Sequence, residues 1–244
     1  MARQFPVRSS TVVKVILQRT FRMGFTQEPQ NVVTSKVCRG ALIVMEGCDR
    51  SGKTTQAKLL KKTLDDAGKP TDFMCFPDRS TQIGGIINNY LKCGTELEDH
   101  AIHLLFSANR WELLPKIKMT LAKGTNIVID RYAFSGVVFS AAKEGMSLEW
   151  CKKSDTGLPK PDLVLYLDVS EKDVQKRGQF GAERYEKEEF QKRVRANYEL
   201  LKDDTWRIID ASLSIDKLQE VIKEEALKVI NKTKDEKIPE LWVE

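Results

Sequence analysis

The stretch Gly47-Cys48-Asp49-Arg50-Ser51-Gly52-Lys53-Thr54 constrains this chain more than any other. It has the form G-x-x-x-x-G-K-[ST], a loop whose backbone closes around phosphate. Its glycines permit a tight turn that points successive N–H groups inward on an anion. Lys53 can reach the β- and γ-phosphates as a point charge, and Thr54 can offer its hydroxyl to Mg2+. The motif has meaning only between a strand and a helix. Ala41-Leu42-Ile43-Val44-Met45 predicts a buried strand, and Lys53 to Ala67 predicts a helix with Leu59, Leu60 and Leu64 on one face. The helix N-terminus then adds its partial positive charge to the loop. A glycine-containing turn before an ordinary helix is the bland alternative. The loop specifies a nucleoside triphosphate and leaves the reaction open.

From residue 40 onward strand and helix signals alternate, which predicts an α/β fold. The strand candidates are 41–45, 72–76, 126–130, 162–168 and 206–210. The helix candidates are 53–67, 81–92, 98–122, 132–144, 171–178, 184–202 and 214–231. Five parallel strands with helices on both faces form a doubly wound sheet that holds ligands at the carboxyl ends of its strands. One domain over 40–231 is expected, followed by a charged tail, 232–244, whose Trp242 either docks on the body or stays free.

Residues 1–39 differ in charge. They hold seven Lys/Arg against Glu28 alone, so of the net charge of +5 the rest of the chain carries −1. A near-neutral body gives no expectation of a nucleic-acid surface. The basic extension resembles a mitochondrial transit peptide in composition, with Val12 to Phe21 able to form a basic amphipathic helix. A dispensable leader ahead of Met23 is the competing view, which would leave the protein cytoplasmic or nuclear. Five scattered cysteines without metal spacing point to a reducing compartment. Cys48 reads as a small filler in the loop. No run of 18 apolar residues predicts a membrane span.

The carboxyl-end rule directs attention to the residues that follow each strand. Strand two leads into Phe76-Pro77-Asp78-Arg79, and strand three into Asp130-Arg131-Tyr132. Asp130 suits Mg2+ or its waters. Arg79 and Arg131 together predict a fork for a second phosphate, though either alone also reads as a solvated loop residue. Phe106 and Arg110 are spaced i, i+4 and so share a helix face. They fit a planar base, and they fit equally a core phenylalanine with a surface arginine. His100 and His103 read as structural. Lys176 to Glu186 interleaves basic residues with two glycines, as a mobile flap over phosphates would.

Taken together, these motifs resemble the eukaryotic type of thymidylate kinase over about residues 40–230. The resemblance rests on Gly47 to Thr54, Phe76-Pro-Asp-Arg79, Leu104-Leu-Phe-Ser-Ala-Asn-Arg-Trp-Glu112, Asp130-Arg-Tyr132 with Phe134-Ser-Gly136, and Glu183-Arg-Tyr-Glu186. It implies a single-domain P-loop NTPase fold with a lid, and transfer of the ATP γ-phosphoryl group to dTMP with Mg2+. Gly47, Cys48, Asp49, Arg50, Ser51, Gly52, Lys53, Thr54, Thr55 and Arg177 would bind ATP, with adenine near Ser212 to Ile215. Thr54 and Asp130 would serve the metal. Arg50 would touch the transferring group, so Arg50, Lys53, Asp49 and Arg131 would form the catalytic set. For dTMP the implied residues are Asp49 on the 3′-hydroxyl, Phe76, Arg79 and Arg131 on the phosphate, Phe106 stacked on thymine, Arg110 on O4, Tyr185 on the sugar, and Gln191. It also implies a homodimer through helices around 98–122 and 132–144.

Rival readings leave marks of their own. A GTP-binding switch needs N-K-x-D after a strand, and Asn231-Lys232-Thr233-Lys234 lacks the Asp. Another nucleotide kinase would lack the Phe106/Arg110 pair. An inactive binding protein has no reason to keep Lys53, Asp130 and Arg131.

Overall fold

Short runs become the strands of a parallel sheet; the three inner, apolar ones are buried on both faces, while the two at its edges, Thr71–Cys75 and Trp206–Asp210, carry polar residues and are only partly buried. In the computed structural model, which describes residues 38–170, 184–185 and 187–243, these are β1 Leu42–Glu46, β2 Thr71–Cys75, β3 Asn126–Asp130, β4 Leu163–Asp168 and β5 Trp206–Asp210. All pair in parallel, in the order β2-β3-β1-β4-β5. β1 is central, with Val44 opposite Ile129 on one side and Val164 on the other.

Eight helices are present among the described residues. They are α1 Lys53–Asp66, α2 Gln82–Leu91, α3 Asp99–Trp111, α4 Leu114–Ala122, α5 Ala133–Ala141, α6 Leu148–Lys153, α7 Glu188–Glu199 and α8 Ile215–Thr233. Because strand side chains alternate, each strand feeds two cores. Leu42, Val44, Ile127, Ile129, Val164 and Tyr166 face a layer built with Ile117, Phe134, Val137 and Tyr198. Ile43, Met45, Val128, Leu163 and Leu165 face the other layer, with Ala57, Leu60 and Leu64 of α1 and Leu218, Ile222, Ala226 and Ile230 of α8. The i, i+4 steps of α8 make its buried stripe continuous.

The expected elements that fall among the described residues are present, their ends shifted by up to four residues, as where the helix expected over 184–202 begins at Glu188, and with three further differences. The single helix expected over 98–122 is two, because Pro115 can donate no backbone hydrogen bond and its ring excludes the carbonyl four residues earlier. The chain turns at Glu112–Leu113, and the proline sits in the first turn of α4, where it is tolerated. The α6 segment was not anticipated; six residues carry too little periodicity to stand out. On α1, Leu59 is only half-buried, and the buried stripe runs through Gln56, Ala57, Leu60 and Leu64. The run expected at 171–178 lies outside the described residues, as do 1–37 and all of the flap except Arg184 and Tyr185.

The tail docks. Leu241 is 1% exposed and its N–H donates to Leu158 O at 2.7 Å, while Trp242 meets Phe134 edge-on at 5.7 Å between ring centroids. No helix among the described residues is long and apolar enough to cross a membrane.

Candidate active site

The strand–loop–helix unit forms as its sequence requires. Gly47 adopts φ +141°, and a Cβ there would stand 2.6 Å from Leu167 O, so the turn leaves no room for a side chain. Lys53, 4% exposed, donates to Cys48 O at 2.6 Å and Ser51 Oγ at 3.2 Å, using the loop's own oxygens as acceptors. Burial, and next the Arg131 cation, pull its ammonium from 10.5 down to about 8. The Thr54 hydroxyl donates to Asp130 Oδ2, which joins the start of α1 to the end of β3.

Among the described residues, two cavities open at the carboxyl edge of the sheet. One is lined by the loop from Arg50 to Thr55 and by Ala211, Leu213 and Ile215 beyond β5. The other is lined by Asp49, Phe76, Arg79, Phe106, Arg110, Gly136 and Tyr185, among others. Arg131 lines both. Its Nη2 donates to Asp49 Oδ1 at 2.5 Å. Burial opposes its charge, but the nearby carboxylates, Asp49 foremost, hold the guanidinium pKa above its ordinary value.

The second cavity is apolar walled with a few placed polar groups, the usual character of a small-molecule site. Phe106 lies half-buried beside Arg110. Arg110 is a core residue, held by Asp155 through Nε at 3.0 Å and Nη2 at 2.5 Å. The surface-arginine reading therefore fails. A Cβ at Gly136 would lie 2.6 Å from Arg110 Nη2, so glycine is what lets α5 approach the guanidinium. Arg79 donates to Asn88 Oδ1 at 3.0 Å and lines the same cavity. The Tyr185 ring stacks on Phe190 at 5.0 Å. Gln191 receives Asp49 N at 3.2 Å and donates to Asp49 Oδ2 at 2.7 Å and Tyr185 O at 2.9 Å, so it ties the phosphate loop to the second cavity's wall.

The two pockets meet at one cation, Arg131. Residues 45–222 match the family model described as thymidylate kinase. The chain belongs to the thymidylate kinase family. It is 50% identical over 207 residues to the thymidylate kinase of Homo sapiens, and 48% identical over 207 residues to that of Danio rerio; in both cases the match covers 84% of this chain and 98% of the relative. The solved thymidylate kinase structure from Candida albicans superposes with a TM-score of 0.76 at 38% identity, covering 84% of this chain and 99% of that one. As a thymidylate kinase, the chain phosphorylates dTMP to dTDP with ATP. Its parallel five-stranded sheet is the P-loop NTPase fold of that family.

Of the residues expected in this thymidylate kinase site, Arg50 to Thr55 line the first cavity, Asp49, Phe76, Arg79, Phe106, Arg110 and Tyr185 line the second, and Arg131 lines both. Gly47, Cys48, Asp130 and Gln191 are not among the lining residues; Asp130 is tied to the first cavity through Thr54, and Gln191 to the second through Asp49 and Tyr185. Arg177 lies outside the described residues. Ser212 to Ile215 borders the first cavity through Leu213 and Ile215. Residue-by-residue reading missed Asp155, whose only trace is the need of a buried arginine for a counter-charge. It also missed Glu46. That carboxylate ends the apolar run of β1 as Asp130 ends that of β3, a signal present in the sequence and passed over.

His103 is buried, with Ser140 Oγ at 2.8 Å from Nδ1 and Cys151 O at 3.0 Å from Nε2. Burial, then Arg110, lower its pKa from 6.5 to about 4, which keeps it neutral and structural.

Proposed function

We propose that the first cavity holds ATP, the second holds dTMP, and Arg131 bridges the two phosphates during transfer. The observation that carries this reading is that Arg131 alone of the arginines lining the second cavity also lines the first. Phosphoryl transfer needs positioning and charge neutralisation rather than a covalent nucleophile, and the acceptor is already a phosphate oxygen. No general base is assigned. Lys53, Arg50 and Arg131 stabilise the charge of the transferring group, and Asp49 serves the sugar 3′-hydroxyl. Arg79 adds a second cation to the acceptor phosphate. Phe106 stacks on thymine, Arg110 donates to O4, and Tyr185 closes on the sugar. Phe76 packs beside the acceptor and Gln191 orients Asp49.

The residues present fit Mg2+. Asp130 Oδ1 is buried with no hydrogen-bond partner, and Oδ2 already meets the Thr54 hydroxyl. Thr54 and Asp130 would hold the ion or its waters, and it would supply neutralisation of the charge that develops on the phosphates.

The test is ADP production by residues 23–244 with ATP, Mg2+ and each of dTMP, dUMP, dCMP, UMP and AMP. Strong turnover with dTMP, less with dUMP and little with the others is expected. Turnover led by another monophosphate overturns the base assignment.

The assembly we infer is a homodimer. Leu104 of α3 and Met119 of α4 are 49% and 54% exposed, apolar surface of the kind an interface covers. Sedimentation of the purified protein at the monomer mass would refute it. The domain limits follow the same reading: 1–39 an extension, 40–231 the kinase, 232–244 the tail. Residues 1–22 act as a mitochondrial address. Fused to a fluorescent reporter they should carry it to mitochondria, and diffuse cytosolic signal sinks that assignment.

A further inference from the structure

Arg131 occupies the left-handed backbone region, φ +64°, where a side chain is held only if its surroundings over-determine it. The surroundings are specific. Its own N–H donates to Met45 O at 3.0 Å. The next amide, Tyr132 N, donates to Glu46 Oε1 at 2.9 Å. That peptide is the one whose orientation the Arg131 backbone angles set, so Glu46 fixes the strained turn from its far side. Ser135 N also donates to Oε1, at 3.1 Å. Oε2 accepts from Ser135 Oγ at 2.5 Å and from Tyr198 Oη at 2.8 Å. Ser135 Oγ in turn accepts from Arg131 Nη1 at 3.3 Å. Glu46 thus holds Arg131 twice, at its backbone and through Ser135 at its guanidinium, while being 0% exposed itself.

A buried carboxylate with four donors is costly to assemble unless each contact is made. Three of those donors lie within five residues after Arg131 in the chain, or one helical turn of α5. Tyr198 comes from α7, 152 residues from Glu46, and closes the arrangement from outside the pocket.

We propose that Glu46, steadied by Tyr198, is a positioning residue that aims Arg131 at the dTMP phosphate. The inference rests on the reading of Arg131 given above. A purely structural Glu46 would cap the start of α5 and stabilise the fold without favouring any ligand group. The two roles separate on a pair of ligands that differ only by the phosphate.

The experiment measures dissociation constants of dTMP and thymidine, with melting temperatures, for the full chain and for Glu46→Gln, Tyr198→Phe and Arg131→Ala. Arg131→Ala should weaken dTMP and leave thymidine alone. Glu46→Gln should weaken dTMP about tenfold and thymidine less than about twofold. Tyr198→Phe should shift the same ratio in the same direction by a smaller factor. An unchanged ratio in Glu46→Gln, with Arg131→Ala behaving as expected, overturns the positioning role alone. An unchanged ratio in Arg131→Ala overturns the reading of Arg131 and this inference with it. Should Glu46→Gln fail to fold, the ratio in Tyr198→Phe decides by the same criterion.

Discussion

Asp155 accepts from both Nε and Nη2 of Arg110, and the two side chains are 0% and 2% exposed. A guanidinium gripped on that edge is fixed in orientation where it lines the second cavity. Ser107 Oγ also donates to Asp155 Oδ1 at 2.9 Å, from the turn of α3 before Arg110.

Asp155→Ala should therefore act on stability and on the base site together. It leaves a buried guanidinium without a counter-charge, a loss of about 3–5 kcal/mol. Urea denaturation reads it as a lower midpoint, and dTMP titration as weaker binding. A variant with the midpoint and affinity of the parent would show that the pair has no such role.

Arg50 and Phe106 should separate rate from binding. Arg50→Ala is expected to lower kcat by roughly 10²–10³ with dTMP affinity little changed, as loss of one charge-stabilising donor does. Phe106→Ala should cost about 1–3 kcal/mol of dTMP binding, the usual worth of an aromatic ring stacked on a base. Steady-state kinetics with a dTMP titration checks both. A Phe106→Ala enzyme with unaltered dTMP affinity would remove the ring from the base site.

Lys53 gives a pH signature. Its pKa of about 8 in the free protein means that above that pH much of it is neutral. ATP phosphates favour the charged form. Binding at pH 8.5 should take up a proton, and binding at pH 6.5 should not draw one from Lys53. Calorimetry in buffers of different ionisation heat measures the uptake. Lys53→Met should abolish it, and an uptake that persists in this variant would assign it elsewhere.

His103 makes the fold acid-sensitive. Its pKa is depressed from 6.5 to about 4, so between those values the unfolded chain binds the extra proton. Stability is full above about pH 6.5 and falls as pH drops toward 4, by up to about 3 kcal/mol. Denaturation midpoints at pH 7 and pH 4.5 should differ less in His103→Gln than in the parent. Equal differences would place the acid sensitivity on other groups.

Much of this molecule was legible because it is local. The loop Gly47 to Thr54, the apolar runs of β1, β3 and β4, and the i, i+4 stripe of α8 each span a few residues and carry their geometry with them. Asp130 and Arg131 followed from the rule that ligands gather where strands end. Pro115 marks the break between α3 and α4 in the sequence itself, a local signal that the expectation of one helix over 98–122 does not use.

By itself the sequence determined the phosphate loop, the parallel sheet and the family. Only the tertiary structure decided which charges meet. Asp155 lies 45 residues from Arg110, Tyr198 lies 152 from Glu46, and Gln191 lies 142 from Asp49. No periodicity links such positions. A buried charge must find its partner wherever the packed layers bring one, and that placement exists only once α3, α5 and α7 have closed over the sheet.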